Sequence, residues 1–260
     1  MAEKVFIDIQ GLSIGYGKGK SQTVVASSID CQLQKGALYG LIGINGAGKS
    51  TLIKTLSGAL EPIAGELLFD GRNVNSLSSL QRAKMLSVVL TKSPVSLNLS
   101  CFELVALGRH PHTNWIGMLT FTDKEKIAQA MEITDLNDLA DQKCFELSDG
   151  QLQRALLARA IAQDTPVIIL DEPTTHLDLH HKFKMLQLLH KLSKQGKTIL
   201  YATHDLELAL DLCDRLLIVK DKQIKDHSPK QAIEDGVIQQ LFPEETVKFD
   251  PKTGRFTLNK

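Results

Sequence analysis

Long apolar segments are lacking throughout this sequence. No apolar run approaches the roughly 18 residues that a membrane-spanning helix needs. The opening residues, MAEKVFIDIQ, also lack the apolar segment of a secretory signal. We therefore expect a protein that reaches a membrane only by binding a partner.

The chain also lacks an excess of charge of either sign. Lys plus Arg and Asp plus Glu number 30 each, so the formal net charge is zero. This balance gives no overall field that would attract nucleic acid, and we expect no nucleic-acid partner. The four cysteines form no C-x-x-C pair, which favours buried, reduced thiols in a cytosolic protein.

Short apolar runs alternate with longer amphipathic stretches along the chain. Strands are predicted at residues 5–9, 24–31, 37–42, 65–69, 87–90, 167–170, 198–203 and 215–219. Helices are predicted at residues 49–60, 151–162, 182–192 and 206–212. The strand–helix–strand order of the second half predicts a parallel sheet with helical crossovers, covered on both faces.

Residues 93–147 differ from the rest, because their signals are helical. Helices are predicted at residues 102–107 and 123–134, the second opened by a capping box of Thr122 with Glu125. We interpret 93–147 as a helical insertion into an α/β core formed by residues 1–92 and 148–226. Residues 227–260 form a short C-terminal extension, in which residues 250–254 predict the turn of a small hairpin.

The segment Gly43-Ile44-Asn45-Gly46-Ala47-Gly48-Lys49-Ser50 matches the phosphate-loop pattern G-x-x-x-x-G-K-[ST] at every fixed position. It lies between an apolar run and a helical stretch, and this context argues against a chance glycine-rich turn. Its backbone N–H groups and the helix N-terminus would bind phosphate. Lys49 is expected to reach the β- and γ-phosphates, and Ser50 to bind Mg²⁺. The predicted nucleotide-binding set continues to Thr51.

Two carboxylates, Asp171 and Glu172, directly follow the apolar run 167–170. Side chains at the carboxyl ends of parallel strands reach the crevice where ligands bind. Asp171 suits the Mg²⁺ shell, and Glu172 suits polarising an attacking water. Consecutive strand residues point to opposite faces, so we expect two separate roles. The alternative is a solvated strand end without function.

Further motifs, in a fixed order, make the chain resemble the ABC (ATP-binding cassette) ATPases over about residues 5–225. Leu147-Ser148-Asp149-Gly150-Gln151 is similar to the family signature L-S-G-G-Q. Pro173-Thr174-Thr175-His176-Leu177-Asp178 resembles its D-loop, and Thr203-His204-Asp205 its switch histidine. Tyr16 stands where the family stacks an aromatic ring on adenine. Taken singly, these residues have structural alternatives: a capping box at Ser148, a surface histidine, and a packed aromatic ring.

The resemblance implies a fold, a reaction and an assembly. The fold is a P-loop NTPase (RecA-like) with a mostly parallel core, an N-terminal antiparallel β subdomain and an inserted α-helical subdomain. The reaction is hydrolysis of ATP with Mg²⁺, in which Glu172 and His204 are catalytic. The assembly is a homodimer, in which Ser148, Gly150 and Gln151 of one copy close the site of the other, and Asp178 joins the nucleotide-binding set.

Two positions depart from the family pattern. Thr91 stands where the family usually has a glutamine. We expect its shorter, hydroxyl-bearing side chain to take the place of that glutamine at the metal site. Asp149 replaces the first glycine of the signature pair, and its charge favours the helix dipole but opposes a bound phosphate. We expect the Asp149 side chain to point away from the nucleotide.

Residues 107–112, Leu-Gly-Arg-His-Pro-His, resemble the helical insertion of ATPases that serve iron-siderophore, haem and cobalamin importers. This resemblance implies that the protein lies at the cytoplasmic face of the membrane. It also implies contact with integral-membrane permease subunits near Arg109 and His112. A periplasmic or surface substrate-binding protein is implied indirectly. The alternatives are a soluble ABC ATPase, such as an iron–sulphur assembly factor, and a nucleotide-binding regulator with weak hydrolysis.

Overall fold

Twelve strands and eight α-helices make up the part of the chain that the computed structural model describes, residues 5–17, 19–90, 96–175, 177–241 and 247–258. The strands are β1 Val5–Tyr16, β2 Thr23–Gln34, β3 Leu38–Gly43, β4 Ala64–Phe69, β5 Arg72–Asn73, β6 Leu86–Val89, β7 Val167–Asp171, β8 Thr198–Ala202, β9 Arg215–Lys220, β10 Gln223–His227, β11 Val247–Asp250 and β12 Arg255–Leu258. The helices are α1 Lys49–Leu56, α2 Ser79–Met85, α3 Cys101–Ala106, α4 Phe121–Ile133, α5 Asp149–Ala162, α6 Leu179–Lys194, α7 Leu206–Leu212 and α8 Pro229–Glu234.

The central sheet has six strands in the order β10-β9-β3-β8-β7-β6. All neighbours pair in parallel except β10, which is antiparallel to β9. Every residue of β7 and β8 is buried, as expected when both faces of a parallel sheet are covered. The predicted parallel sheet with helical crossovers is confirmed.

Alternate residues of the central strands enter two separate cores. Tyr39 and Leu41 of β3 pack with the four-stranded antiparallel sheet β2-β1-β4-β5 and with α1. Leu38 and Ile42 pack on the opposite side, together with residues of α3 to α6. The expected antiparallel β subdomain and the expected helical region are therefore both present, one on each face of the central sheet.

The helical region is held to the core by α5, against which α3 and α4 pack. The predicted capping box of Thr122 with Glu125 is wrong. Thr120 caps α4, because its hydroxyl accepts from the Asp123 N–H and the Asp123 carboxylate accepts from the Thr120 N–H. The helix begins two residues earlier than predicted, so Thr120 is its N-cap and Asp123, rather than Glu125, stands at the third helical position.

Several element boundaries differ from those predicted. Helix α1 ends at Leu56 rather than at residue 60, because Gly58 adopts a φ of 72° two residues later. Short elements β5, α2, β10 and α8 were not predicted. The C-terminal hairpin is confirmed, with β11 and β12 antiparallel around a turn in which Asp250 accepts from the Lys252 N–H.

All four cysteines are buried and free, as predicted. Burial raises the pKa of the Cys31 thiol to about 12. Within the described ranges, no helix combines the length and apolar character that a bilayer crossing needs.

A buried ion pair fixes the helical region. Arg109 Nε lies 2.8 Å from Asp123 Oδ1, and the two side chains are 6% and 3% exposed. The same guanidinium donates from Nη1 to the carbonyl of Ala162, at the end of α5, at 2.7 Å. Hydrogen bonds from Thr120, reinforced by Arg109, lower the pKa of Asp123 to about 2. Arg109 therefore faces inward and organises the insertion, rather than lying on its outer surface.

Replacing Asp123 by alanine is expected to destabilise the protein by about 3–5 kcal/mol, because it leaves the Arg109 charge buried without a partner. The free energy of unfolding, measured in urea, tests this. Asp138→Ala, at an exposed position of the same region, should change it by less than about 0.5 kcal/mol. Equal stability of the two variants would show that the pair contributes nothing.

Candidate functional site

The predicted phosphate loop connects β3 to α1, and glycine is required at both of its ends. Gly43 has φ 156°, and a Cβ there would lie 2.6 Å from the Val219 carbonyl oxygen. Gly48 is the N-cap of α1 with φ 116°, and a Cβ there would lie 2.6 Å from Val25 Cγ1. The loop is thus folded tightly against β9 and β2, and its backbone opens toward the N-terminus of α1.

Lys49 spans the inside of this loop. Its Nζ donates to the carbonyls of Gly43 at 2.7 Å and Ile44 at 3.2 Å, and the residue is only 6% exposed. Burial lowers the pKa of Lys49, while the nearby charges of Glu172 and Asp171 oppose that shift. A buried ammonium beside a helix N-terminus provides the positive charge that a phosphate needs.

Ser50 and Asp171 bring two oxygen ligands together from different elements. The Ser50 hydroxyl donates to Asp171 Oδ1 at 3.4 Å, and Asp171 is 7% exposed at the end of β7. No cluster of three or more His, Cys, Asp or Glu suited to a metal occurs among the described residues. A hydroxyl and one carboxylate nevertheless fit Mg²⁺, which uses few protein ligands and completes its shell with water and substrate phosphates.

Glu172 turns away from Asp171 and meets His204. Glu172 Oε1 lies 2.5 Å from His204 Nε2, and Oε2 accepts from the Thr175 hydroxyl at 3.4 Å. Glu172 has a φ of 53°, in the left-handed region, and its N–H donates to the Ala202 carbonyl. Glu172 thus lies beyond the end of β7, and its left-handed backbone, rather than strand alternation, directs the second carboxylate to His204, two residues after β8.

Tyr16 ends β1 with its side chain partly in solvent. Tyr16 is 44% exposed, and its hydroxyl lies 3.0 Å from Oγ1 of Thr51. Thr51 itself is only 6% exposed. The hydrogen bond ties the ring to the first turn of α1, beside the phosphate loop. The sequence placed both residues in the nucleotide set but carried no signal that they touch.

The signature segment is exposed at the N-terminus of α5. Ser148 caps the helix, accepting from the Gln151 N–H, while Gln151 Oε1 accepts from the Ser148 N–H. Asp149 is exposed in the first turn, where its charge complements the helix dipole. Across the described ranges, no hydrogen bond joins Ser148, Gly150 or Gln151 to the phosphate loop. Within one copy, the described residues of the two motifs are therefore not joined by hydrogen bonds.

Asp178 caps α6 and lies beyond the signature. Its carboxylate accepts from the N–H and from Nδ1 of His181, and these bonds lower the pKa of Asp178. The neighbouring Leu177 packs close to Gly150, where an added Cβ would lie 3.1 Å from Leu177 Cδ2. His176, in the same segment, and Thr91, the predicted metal-site substitute, lie outside the described residues.

Asp205, Lys182 and Thr174 lie near the site but were not predicted to be functional residues. Asp205 accepts from Lys182 Nζ at 3.0 Å and from the Thr174 hydroxyl at 3.4 Å. Asp205 directly follows His204, and the histidine motif was the signal that could have drawn attention to it.

The ABC transporter family model matches residues 26–175. Three curated proteins are similar over most of the chain. The achromobactin transport ATP-binding protein CbrD of Dickeya dadantii is 36% identical, covering 89% of this chain and 85% of its own length. The iron(3+)-hydroxamate import ATP-binding protein FhuC of Bacillus subtilis is 34% identical, covering 96% and 92%. The cobalamin import ATP-binding protein BtuD of Halobacterium salinarum is 35% identical, covering 97% and 63%.

Solved structures agree with these sequence relatives. The cassette MJ0796, in a dimeric post-hydrolysis state with ADP and Pi, has a TM-score of 0.76 and 26% identity, covering 86% of this chain and 98% of that one. The protein cbiO1 of Clostridium perfringens, part of the ABC transporter complex cbiONQ, has a TM-score of 0.77 and 26% identity, covering 92% and 95%.

Lys49→Ala is expected to weaken ATP binding about 10- to 100-fold, because it removes a charge-assisted contact worth about 1.5–3 kcal/mol. Isothermal titration with ATP and Mg²⁺ measures this. Lys54→Ala removes the same charge from an exposed position on α1 and should leave the affinity unchanged. Parent-like affinity of Lys49→Ala would reject the phosphate-loop assignment.

Proposed function

Because the chain belongs to the ABC transporter family of ATP-binding cassettes, we propose that it is the ATP-hydrolysing subunit of an importer for an iron complex, such as a siderophore or haem, or for cobalamin. The observation that carries the enzymatic part is the meeting of Lys49, Asp171, Glu172 and His204 at one edge of the central sheet. The names of the similar proteins, which describe achromobactin transport and hydroxamate and cobalamin import, support the cargo class.

ATP binds along the phosphate loop in this proposal. The N–H groups of the loop and of the first turn of α1 face the phosphates, and Lys49 neutralises the β- and γ-phosphates. The half-exposed ring of Tyr16, held by Thr51, offers a face on which adenine stacks. The exposed Ile44, Asn45 and Gly46 form the crest of the loop, open to the ligand.

Hydrolysis is assigned to the residues that follow β7 and β8. Ser50 and Asp171 hold Mg²⁺, which when bound neutralises charge on the transferred phosphoryl group. Glu172 accepts the proton of the attacking water, for which its carboxylate is turned out of the strand by the left-handed backbone. His204, through its contact with Glu172 Oε1, orients that carboxylate.

Completion of the site is assigned to a second copy of the chain. Ser148, Gly150 and Gln151 make no hydrogen bond to the loop of their own copy among the described residues, and they stand at the N-terminus of α5, where a helix favours an anion such as a γ-phosphate. Asp178 lies at the start of the next helix and belongs to the same closing surface. The dimeric state of the structurally similar cassette MJ0796 supports this arrangement.

The membrane partner is assigned to the helical insertion. Four large apolar side chains, the apolar patch, are exposed on the loop before α4 and at its start: Trp115 by 95%, Ile116 by 61%, Met118 by 63% and Phe121 by 78%. Apolar side chains clustered so fully in solvent mark an interaction surface. Arg109 itself is 5% exposed and binds Asp123, so within the expected contact near Arg109 and His112 we assign the permease to the apolar patch rather than to the Arg109 side chain.

We keep the domain division that was predicted from the sequence, with the permease contact in the helical insertion. Residues 1–92 and 148–226 are the ATP-binding core, 93–147 the permease-facing insertion, and 227–260 the extension. The chain then works at the cytoplasmic face of a membrane, bound to integral-membrane permease subunits, and a substrate-binding protein outside the membrane delivers the cargo to them. The apolar patch would also suit a soluble protein partner, so the names of the similar proteins are what favour the importer over a soluble assembly ATPase, and the Glu172–His204 contact favours hydrolysis over a regulator without it.

Glu172→Gln is expected to bind ATP, to hydrolyse it at least about 100-fold more slowly and to accumulate as an ATP-bound dimer. Glutamine keeps the shape of the side chain but cannot accept the proton of the water. Phosphate release and size-exclusion chromatography with ATP and Mg²⁺ measure both effects. Glu66→Gln, exposed on β4, is the matched control and should behave as the parent. A monomer that turns over at the parent rate would refute the role.

A cysteine introduced at Ile116 should cross-link to the cognate permease in membranes that contain it. Ile116 is preferable to Asn114, because the Asn114 side chain accepts from the N–H groups of Ile116 and Met118 and so shapes the loop. Leu80→Cys, 55% exposed on α2 and outside the insertion, should give no adduct. Capture of a soluble assembly factor and no permease would favour the soluble ATPase instead.

A further inference from the structure

Asp205 occupies the N-cap position of α7, yet its side chain makes no capping hydrogen bond. An aspartate at this position usually accepts a hydrogen bond from the helix backbone. Here Oδ2 is taken up by two side chains from other elements, Lys182 Nζ at 3.0 Å and the Thr174 hydroxyl at 3.4 Å. The carboxylate therefore joins separate segments instead of starting its own helix.

The joined segments are those that lead to the catalytic residues. Thr174 follows Glu172 by two positions and is 4% exposed. Lys182 lies in the first turn of α6, where its N–H donates to the carbonyl of Asp178 at 2.9 Å. Asp205 thus connects the turn after β7, the start of α6 and the loop after β8 through a single oxygen atom.

His204 depends on this loop for its orientation. Its side chain is 45% exposed, and Glu172 Oε1 is the contact that directs the ring. On one side of it, the Thr203 N–H donates to the Leu41 carbonyl at 3.1 Å, which fixes the loop to the sheet. On the other side, the loop is held through the Asp205 carboxylate. A half-exposed side chain keeps rotamer freedom unless its backbone is fixed, so both anchors affect the ring.

We propose that Lys182 is a positioning residue for ATP hydrolysis: through Asp205 it fixes the His204 loop and keeps the imidazole on Glu172. The inference rests on the proposed function, because it concerns the turnover of that site. In the described part of the chain, no hydrogen bond links Lys182 to the phosphate loop. Loss of the Lys182 charge should therefore lower kcat and leave ATP binding unchanged.

Lys182→Met, which keeps the aliphatic stem and removes the ammonium, tests this in the full chain. We expect kcat to fall about three- to tenfold, in line with a partly exposed charged contact, with the Kd for ATP changed less than about twofold. Lys182→Arg retains a donor cation and should restore most of the parent kcat. Lys184→Met, at an exposed position two residues along α6, is the matched control and should match the parent. If Lys182→Met fails to fold, kcat and the Kd for ATP are measured on Lys182→Gln instead.

A double-mutant cycle with Asp205→Asn separates positioning from a general loss of stability. If Lys182 acts through Asp205, adding Lys182→Met to Asp205→Asn should lower kcat no further, so the double variant should match Asp205→Asn alone. Multiplied losses, a parent-like kcat of Lys182→Met, or a fall in ATP affinity would overturn the inference and leave the proposed function standing. Absence of ATP hydrolysis by the parent chain would overturn the proposed function, and the inference with it.

Discussion

The parallel pairing of β3 with β8 and of β8 with β7 sets the positions of the functional groups. Ala202 pairs with Asp171, so β8 and β7 end at the same level, and Leu41 pairs with Ala202, so β3 continues two residues further, to Gly43. The phosphate loop, the acidic pair and the switch histidine each begin where one of the strands stops. Because the strands are buried on both faces, shifting one of them would move apolar residues out of a core as well as a functional group out of the site.

Residues whose role depends on local backbone geometry were predictable from the sequence. The phosphate loop needs glycine at Gly43 and Gly48 because a Cβ would collide there, and such needs leave a fixed spacing in the chain. The contact of Asp205 with Lys182 leaves no such trace, since the two residues lie on different elements. The resemblance placed Arg109 near a partner contact, and nothing in the sequence indicated its buried partner Asp123, which is fourteen positions away.

Hydrogen bonding alone could not have singled out the signature segment. Ser148 forms the same reciprocal capping box as Ser78, Ser100, Thr120 and Ser228 at the starts of four other helices. What distinguishes Ser148 is its place in the order of motifs and the exposed N-terminus of a long helix behind it. The structure therefore explains how the segment folds, whereas the family explains why it is there.

Helix α5 links two distant surfaces mechanically. Its fourteen residues form a rod about 21 Å long, with the signature at one end. At the other end, Arg109 binds the Ala162 carbonyl, and His112 lies 3.0 Å from the Gln163 carbonyl, which ties the loop bearing Trp115 to the rod. A tilt of about 10° about the Arg109 end would displace Ser148 by about 4 Å, more than the length of a hydrogen bond. A movement of the apolar patch that tilted this rod would therefore also move the signature segment at its other end.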